Sequence, residues 1–451
     1  MSQTITPAVA PESNGTSFLK SLPAWARWSG ATLVGLLILT IVQSVSGTTL
    51  LTADTTASAM IRWSIPILLA GLGGLFSERS GVVNIGLEGM MIFGTWFAAW
   101  GALNWGPWGG LIAGILGGAL GGLLHAVATV TFGVDQIVSG VAINILAPGL
   151  TRYLSERIFT GQTGGSVSQS PRVNGFSEFE IPIIADALGW VREREIFFIS
   201  DIAGILRGFV IDLSIFTLLA LALVPISAWV LWRTRVGLRI RICGEHPSAA
   251  ESLGVKVYRH KYLAVVISGA FAGMAGAFIV LELSGLYRGG QTTGRGFIGL
   301  AALIFGNWKA LGVLTGSLLF SYPFGLALKD FDATSSGTAT RALLLVVAIG
   351  LYATTVWLWR GRDTIKSDLE DPTGTWAKLI GGVRADERTG LTVLAAGLGT
   401  IALLWYLLTD SAASWLPNTM PYVLVLLVLI FAAQRLRPPK AVGIPFRKGD
   451  H

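Results

Sequence analysis

Long apolar runs recur along most of this chain and are separated by shorter polar intervals. A helix needs about 20 residues to cross the hydrocarbon core of a bilayer. The runs lie at 31–45, 59–76, 87–103, 108–132, 137–154, 211–231, 262–281, 297–305, 311–328, 341–359, 391–408 and 422–433. The pattern predicts an all-α, polytopic transmembrane helical bundle of about 10–12 membrane helices. A break at 306–309 is the main ambiguity in that number.

The most basic interval of the chain, 232–261, lies between two of these runs. It contains seven lysines and arginines against two glutamates. Short loops rich in Lys and Arg stay on the cytoplasmic side of a membrane. Six crossings before this loop place the N-terminus on the same side, and the basic tail after the last helix is expected there too. We therefore predict that both termini are cytoplasmic.

Within this basic loop, residues 244–254 have the start and stop signals of a short helix. Pro247 suits the first helical turn, and Gly254 suits a left-handed stop. Ala249 and Ala250 would give the helix a smooth face that could lie in a groove on another protein. The segment is either a solvated linker helix or the attachment point of a motor subunit. We favour the second, because the chain contains no P-loop and no soluble catalytic domain.

Composition supports a membrane protein and argues against several other classes. The chain is 52% hydrophobic and 13% charged, whereas soluble domains carry about a quarter charged residues. The net charge of +7 comes from bases clustered in loops, not from a basic face with interleaved aromatic residues, so nucleic-acid binding is not expected. The single cysteine, Cys243, excludes a disulfide framework and a cysteine-based metal site.

Polar residues interrupt the apolar pattern at 71–89, where Glu78, Arg79, Asn84 and Glu88 lie among glycines. Ionisable groups at membrane depth are costly and are functional by default. Asn84 and Glu88 are one helical turn apart and could together meet a hydroxyl-rich solute. A buried structural pair is the alternative for them, and an interfacial turn is the alternative for Glu78 and Arg79.

A second set of polar residues lies in later apolar runs and includes Asn144 and Glu282. Asn144 is in the middle of a predicted helix, where an amide either joins helices or faces a cavity. Helices broken near the midplane are typical of transporters. We therefore predict a solute path lined by Asn84, Glu88, Asn144 and Glu282. No cluster typical of catalysis or of metal binding is present, so no catalytic, cofactor-binding or metal-ligating residue is predicted.

Four segments together resemble a known family of membrane proteins. They are SERSGVVNIGLEGMMIFG (77–94), VDQIVSGVAINILA (134–147), GEHPSAAESLGV (244–255) and GFIGLAALIFG (296–306), and the tail 420–450 adds to the likeness. They resemble permease subunits of bacterial ABC importers for nucleosides and simple sugars, in the branched-chain amino acid and ribose-type superfamily. The nearest branch is the nucleoside one, which works with lipoproteins of the basic membrane protein type.

The resemblance implies partners that this chain does not contain. They are a cytoplasmic ABC ATPase that binds the ATP, a second related permease, and an extracytoplasmic lipoprotein that delivers the solute. It also implies location in a bacterial plasma membrane. The family's coupling helix matches 244–254, so the residues expected to contact the ATPase are Gly244, Glu245, His246, Pro247, Ala249, Ala250, Glu251 and Gly254.

The resulting organisation has four parts. Residues 1–28 form a cytoplasmic arm, and 29–331 form a permease core with an extracellular loop at about 155–207 and the coupling loop at 232–261. Residues 332–418 would be an insertion with two extra membrane helices, and 419–451 the last helix and basic tail. The expected function is ATP-driven import of a nucleoside or simple sugar, without enzymatic activity of its own. An ion-coupled carrier and a non-transporting scaffold are the alternatives.

Overall fold

The computed structural model describes residues 24–334, 337–369, 375–409, 411, 413, 415–431 and 436–447. The predicted all-α fold is confirmed over these residues. Their only strands are β1 (Glu178–Phe179) and β2 (Leu213–Ser214), which pair antiparallel. Most of the predicted N-terminal arm and the last four residues of the tail lie outside the described residues.

The helices are numbered here in chain order. The first seven are α1 (Ala24–Ser46), α2 (Asp54–Arg79), α3 (Leu87–Ala126), α4 (Gln136–Ile158), α5 (Pro182–Arg192), α6 (Ile199–Gly208) and α7 (Ile215–Arg233). The next eight are α8 (Arg235–Glu245), α9 (Pro247–Ser252), α10 (Val257–Phe278), α11 (Arg295–Phe305), α12 (Ala310–Thr334), α13 (Thr338–Leu369), α14 (Thr375–Leu408) and α15 (Leu416–Phe431). Short π-helical turns extend α3 over Val127–Thr131 and α10 over Ile279–Ser284.

Within the described ranges, eight helices are long and apolar enough to cross a membrane. One of them, α3, contains two helical arms, because Gly106 has a left-handed φ of 72° and Pro107 follows it. Only glycine adopts such a φ without strain, and a proline there has no helical hydrogen bond to lose. The sequence prediction of two separate runs, 87–103 and 108–132, is therefore confirmed.

Helix α2 lies at the centre of the bundle and is buried along most of its length. Beside it, α3 and α10 pack closely along a line of glycines. A Cβ atom at Gly273 in α10 would lie 2.8 Å from the Cα atom of Gly118 in α3. Such an approach is possible only without side chains, and small residues at helix contacts are the usual solution in membranes.

The segment predicted as an extracellular loop forms a layer over one end of the bundle. It contains two short helices, α5 and α6. Arg192 of α5 and Arg207 of α6 both form ion pairs with Asp54 at the start of α2. Further along, Gly289 N donates to Ser168 O over 2.8 Å, so the loop after α10 is attached to the same layer.

Helices α13 and α14 are longer than the apolar pattern indicates. The apolar runs end at 359 and resume at 391, whereas α13 continues to Leu369 and α14 begins at Thr375. Apolar runs mark only the part in lipid, and after Gly361 no proline or glycine interrupts the sequence before Pro372. The two helices pack together, and whether they form an insertion in the family sense stays a prediction.

Candidate functional site

A cavity of about 460 Å³ lies beside α2, between the end of α10 and helices α11, α12 and α15. This volume is within the range of about 300–1,000 Å³ that is usual for small-molecule sites. The lining is mainly aromatic and aliphatic, with a few polar groups. The lining includes the aromatic residues Trp63, Phe324 and Tyr422 and the polar residues Ser284, Ser321, Gln291, Thr293 and Arg295.

One wall of this cavity is an aromatic pair with a guanidinium against it. The rings of Trp63 and Phe324 meet edge to face with centroids 4.4 Å apart. The Arg295 guanidinium lies 4.8 Å from the Trp63 ring centre and 5.3 Å from that of Phe324. Both distances are within cation–π range. Arg295 is also tied to the backbone, since it donates to the carbonyl groups of Gln291 and Thr292 over 3.0 and 3.1 Å.

The cavity's position depends on how the first turn of α11 is held. Glu88, at the start of α3, accepts hydrogen bonds from Gly294 N over 2.9 Å and from Gly296 N over 2.7 Å. A carboxylate at a helix N-terminus satisfies free N–H groups and is favoured by the helix dipole. Gly296 is required here, because a Cβ atom at this position would lie 2.6 Å from Glu88 N.

Gln291 has the one side-chain amide in the cavity lining, on the loop between α10 and α11. Both polar atoms of this amide are buried and have no hydrogen-bond partner. Leaving a buried donor or acceptor unpaired costs about 1–3 kcal/mol per group. An amide kept in this state at a cavity wall is therefore suited to a ligand.

A smaller cavity of about 220 Å³ adjoins the first one and shares Trp63 and Leu283 with it. Its lining is more polar and includes Ser58, Arg62, Asp212 and Lys329. Ser58 donates to Asp212 over 2.8 Å, and Arg62 forms an ion pair with Glu178 of β1 at 2.6 Å. Because β1 and Asp212 belong to the layer over the bundle, the polar cavity lies on the side of that layer.

The two predicted asparagines take part in packing between helices. Asn84 is fully buried and donates to Ser268 of α10 over 2.9 Å, while its Oδ1 has no partner. Asn144 accepts from Gly89 N over 2.7 Å and donates to Ile85 O over 3.0 Å. Neither residue lines the two cavities described above. A solute contact by Asn84 or Asn144 stays a prediction.

The two predicted glutamates lie near the cavity without lining it. Glu88 holds α11 as described, and Glu282 is in the π-helical end of α10, next to the lining residues Leu283 and Ser284. The Glu282 Oε1 atom is buried with no hydrogen-bond partner, and its backbone carbonyl accepts from Arg62 over 2.7 Å. The structure thus brings these glutamates, but not the asparagines, to the edge of the site.

Sequence reasoning missed Trp63, Phe324, Tyr422 and Gln291 as lining residues. The aromatic residues carried no signal, because Trp and Phe occur in almost every apolar run. Gln291 lies in a glycine-rich segment between two apolar runs, and that composition was the available signal. Positive φ values at Gly290 and Gly294 produce the turns that place it.

The coupling loop forms two helices, α8 and α9. Pro247 begins α9, and Gly254 follows it with a φ of 78°, so both predicted signals are confirmed. Leu253 at the end of α9 is 79% exposed, and Ala249 is also exposed. The prediction that both alanines form the outer face is wrong for Ala250, whose side chain is fully buried.

Ala250 is buried because α9 packs back onto its own protein. It clusters with Cys243 of α8 and Val257 of α10, and Phe446 from the C-terminal tail packs against them. Burial raises the pKa of the Cys243 thiol to about 11, an effect that the positive charge of Lys261 partly offsets. The lone cysteine is therefore a protonated core residue, not a reactive thiol.

A chain of contacts leads from α8 to α11. Gly244 packs on the bend after α2, where a Cβ atom would lie 2.9 Å from both the Arg79 carbonyl carbon and Gly81 N. Arg79 donates to the carbonyl of Trp308 over 2.8 Å, and the Trp308 indole donates to Glu78 over 2.6 Å. Trp308 follows the C-terminal end of α11, so this end is fixed to the base of α2.

The other predicted coupling residues occupy this same surface. Glu245 is 3.9 Å from Arg79 and its carboxylate accepts from Lys440 N over 3.3 Å, whereas His246 is exposed at the junction of α8 and α9. Glu251 is half-buried on α9. Contact of any of these residues with an ATPase stays a prediction.

Comparisons with known proteins identify relatives over most of this fold. Guanosine ABC transporter permease protein NupQ of Bacillus subtilis is 39% identical over 279 residues, which cover 60% of this chain and 81% of the relative. Nucleoside ABC transporter permease protein NupC of Lactococcus lactis is 34% identical over 278 residues, covering 60% and 80%. Putative glucose ABC transporter permease protein TsgC13 of Haloferax volcanii is 35% identical over 276 residues, covering 60% and 77%.

No solved structure matches the chain. The family model that matches is described as the permease component of a branched-chain amino acid transport system, and it covers residues 56–349. That range contains all but the first two residues of α2, the whole of α3 to α12, both cavities except for Tyr422, and the whole coupling loop. The chain therefore belongs to the family of branched-chain amino acid transport system permease components and is a multi-pass membrane protein.

Proposed function

We propose that this chain is the membrane-spanning permease subunit of an ATP-driven ABC importer and that it moves nucleosides into a bacterial cell. The observation that carries the proposal is the cavity at Trp63 and Gln291, within a fold shared with permeases named for guanosine and nucleosides. Family membership argues against the two alternatives from the sequence, an ion-coupled carrier and a scaffold.

The chemistry of the cavity suits a nucleoside better than a simple sugar. Aromatic rings such as Trp63 and Phe324 offer faces on which a planar base stacks, worth about 1–3 kcal/mol per base. The amide of Gln291 offers a donor and an acceptor to the edge of such a base. The relative named for glucose keeps a sugar as the second candidate, and direct competition between the two solutes decides between them.

The two adjoining cavities support a route for the solute. A nucleoside released by a binding lipoprotein would first enter the polar cavity at Arg62 and Asp212, then pass Trp63 and Leu283 into the aromatic cavity. In this arrangement the layer formed by α5 and α6 faces outside. The coupling loop and both termini are then cytoplasmic, in agreement with the basic charge of that loop.

The energy would enter through α9, which a partner ATPase contacts. Exposed Leu253 and Ala249 give this helix an apolar surface for the partner, and its buried side is continuous with α8. Movement of α8 would act on Arg79 and Trp308 and so on the C-terminal end of α11. Because the N-terminal end of α11 carries Arg295 at the cavity, α11 is the element that joins the two sites.

Reconstitution with the proposed partner subunits tests the proposal. Proteoliposomes containing the permease pair, the ATPase and the lipoprotein should accumulate radiolabelled guanosine when ATP is present. Unlabelled nucleosides should compete and glucose should not. Vesicles without ATP, or with an ATPase that cannot hydrolyse it, are the controls. Uphill uptake by this chain alone, or competition only by sugars, would contradict the proposal.

The coupling role is tested by a substitution on the exposed side of α9. Leu253→Asp should abolish co-purification with the ATPase and ATP-dependent uptake, because it places a charge on the apolar contact surface. Thermal stability should not change, since Leu253 is 79% exposed. Ile444→Asp, at another exposed apolar residue outside α9, is the control. Normal ATPase binding by Leu253→Asp would exclude α9 as the contact.

A further inference from the structure

The polar side chains around the aromatic cavity differ in what remains available to a ligand. The Ser284 hydroxyl donates to Ile279 O and Leu286 O, and the Ser321 hydroxyl donates to Met60 O and Leu318 O. The one proton of each hydroxyl is therefore used by backbone carbonyls of the protein. The hydroxyl lone pairs remain as weak acceptors, but the protons are not available to a solute.

Tyr422 and Arg295, the two larger polar side chains in the lining, are bonded to the loop before α11. The Tyr422 hydroxyl donates to the carbonyl of Thr293. The Arg295 guanidinium donates to the carbonyls of Gln291 and Thr292 and to the Thr293 hydroxyl. All three Arg295 bonds come from Nη1. Together with the Tyr422 bond they fix the loop before α11, so both residues help to build the cavity wall.

The Gln291 amide is in the opposite situation. Its backbone is used on both sides, since its N–H donates to Arg288 O over 3.2 Å and its carbonyl accepts from Arg295. Its side chain lines the cavity, yet neither the amide nitrogen nor the amide oxygen has a partner. The loop thus holds one donor and one acceptor side by side at an aromatic wall, at a cost that a ligand would remove.

A carboxamide of this kind matches the edge of a nucleobase. Every common base has a hydrogen-bond donor next to an acceptor on one edge, and glutamine amides bind adenine through two such bonds. A ring stacked on Trp63 or Phe324 would present that edge in its own plane, so stacking and edge pairing act on the same group. Simple sugars offer hydroxyl groups but no planar edge and no aromatic face.

We propose that Gln291 is the residue that recognises the base of the transported nucleoside, by pairing its amide with the base edge. This inference rests on the proposed function and adds the group that sets specificity. A freely rotating amide accepts either order of donor and acceptor. The wild-type site therefore takes purine and pyrimidine nucleosides alike and rejects ribose and glucose.

Replacing Gln291 with glutamate should change which nucleoside is preferred and not merely weaken nucleoside binding. A carboxylate accepts two hydrogen bonds and donates none, and the Arg295 guanidinium bonded to the same residue's carbonyl favours its ionised form. The Watson–Crick edge of guanine offers two adjacent donors, N1–H and N2–H. Adenine offers one donor beside an acceptor, which would face a carboxylate oxygen. Gln291→Glu should therefore favour guanosine over adenosine.

The experiment measures half-saturating concentrations for guanosine and adenosine in vesicles containing the complete transporter. Gln291→Leu should raise both values at least about tenfold, because the base edge is left unpaired in a mainly apolar cavity. Gln291→Glu should raise the ratio of adenosine to guanosine values by about tenfold or more. Gln162→Leu, at an exposed glutamine outside the cavity, should change neither.

Two outcomes would overturn the inference. One is unchanged half-saturation in Gln291→Leu together with a wild-type ratio in Gln291→Glu. The other is a uniform change for all nucleosides in Gln291→Glu, because a contact with the ribose and not with the base would give that result. Guanosine uptake by the wild-type transporter in the same vesicles tests the proposed function separately, so each proposal can fail without the other.

Discussion

At the scale of single residues, Glu88 shows how a polar group at membrane depth can serve structure and function together. Its carboxylate accepts from two backbone N–H groups at the start of α11 and lies beside Arg295. The α11 segment has only 11 residues, so one fixed end matters to the whole element. A role as holder of α11 accounts for its position without any direct contact with solute.

This role predicts the result of Glu88→Gln. An amide keeps one acceptor but turns an NH₂ group toward the second N–H, so one of the two hydrogen bonds is lost. We expect a loss of about 1–2 kcal/mol in stability, visible as a lower melting temperature of the purified permease. The relative affinities for guanosine and adenosine should stay as in the wild type.

A direct solute contact by Glu88 would give the opposite pattern. The melting temperature would then be unchanged, and half-saturating concentrations would rise by different factors for different solutes. Arg62→Gln is a useful comparison, because it removes the ion pair with Glu178 at the polar cavity and leaves the end of α11 intact.

The polar residues predicted for the solute path show how much of the site can be inferred from one sequence. Asn84, Glu88 and Asn144 were correctly identified as unusual, because polar groups in apolar runs need a partner. The partners of Asn84 and Glu88 could not be predicted, since Ser268 and Gly294 are 184 and 206 positions away in sequence. Gln291 was passed over because it lies in a loop where polar residues are common, and only its lack of partners makes it notable.

At the scale of elements, the backbones of α3 and α10 approach each other closely. Their shared surface is made of glycines, including Gly118 and Gly273, so the two backbones are in contact. Dispersion contacts and weak backbone interactions drive such packing, because lipid is as apolar as the side chains that would otherwise be buried. The apolar pattern predicted both helices, but not which faces meet.

Gly273→Ala tests this packing. Its new methyl group would lie 2.8 Å from Gly118 Cα, so the helices must separate, and we expect a loss of about 1–3 kcal/mol. The measurement is the melting temperature in detergent, together with the yield of folded protein. Gly149→Ala in α4 is the control, because no atom lies within 4 Å of its added methyl group.

The control should be neutral or slightly stabilising, since alanine is a better helix former than glycine. Equal melting temperatures for Gly273→Ala and Gly149→Ala would show that α3 and α10 are not in close contact. The predicted change in melting temperature thus depends on where the glycine lies in the bundle, since both variants are Gly→Ala substitutions.

At the scale of the whole molecule, the C-terminal tail returns to the coupling loop. Ala441 N donates to Gly244 O over 2.8 Å, and the rings of Phe446 and Tyr258 lie 5.8 Å apart. Cys243 is enclosed by α8, α9, α10 and this tail, and it has no solvent exposure. The sequence predicted a basic tail on the same side as the coupling loop but gave no sign that the two are joined.

The reactivity of Cys243 can be used to measure whether the tail is packed against the coupling loop. The Cys243 pKa of about 11 means that burial favours the neutral thiol, so raising the pH from 7 to 9 leaves it protonated. An exposed thiol, with a pKa near 8.5, would ionise over the same range and react about tenfold faster or more. We expect maleimide labelling of the folded permease to be slow at both pH values and to become fast only after denaturation.

Phe446→Ala should release this protection, because it removes the ring that closes the cluster from the side of the tail. Labelling of Cys243 should then accelerate and acquire the pH dependence of an exposed thiol. Ile444→Ala, at a neighbouring residue that is 57% exposed, should behave as the wild type. Fast labelling of the wild-type protein at pH 7 would mean that tail and coupling loop are not packed together. In that case the contacts that hold α9 against α8 would be missing, and a movement of the partner subunit would not be transmitted through them to α8 and α11.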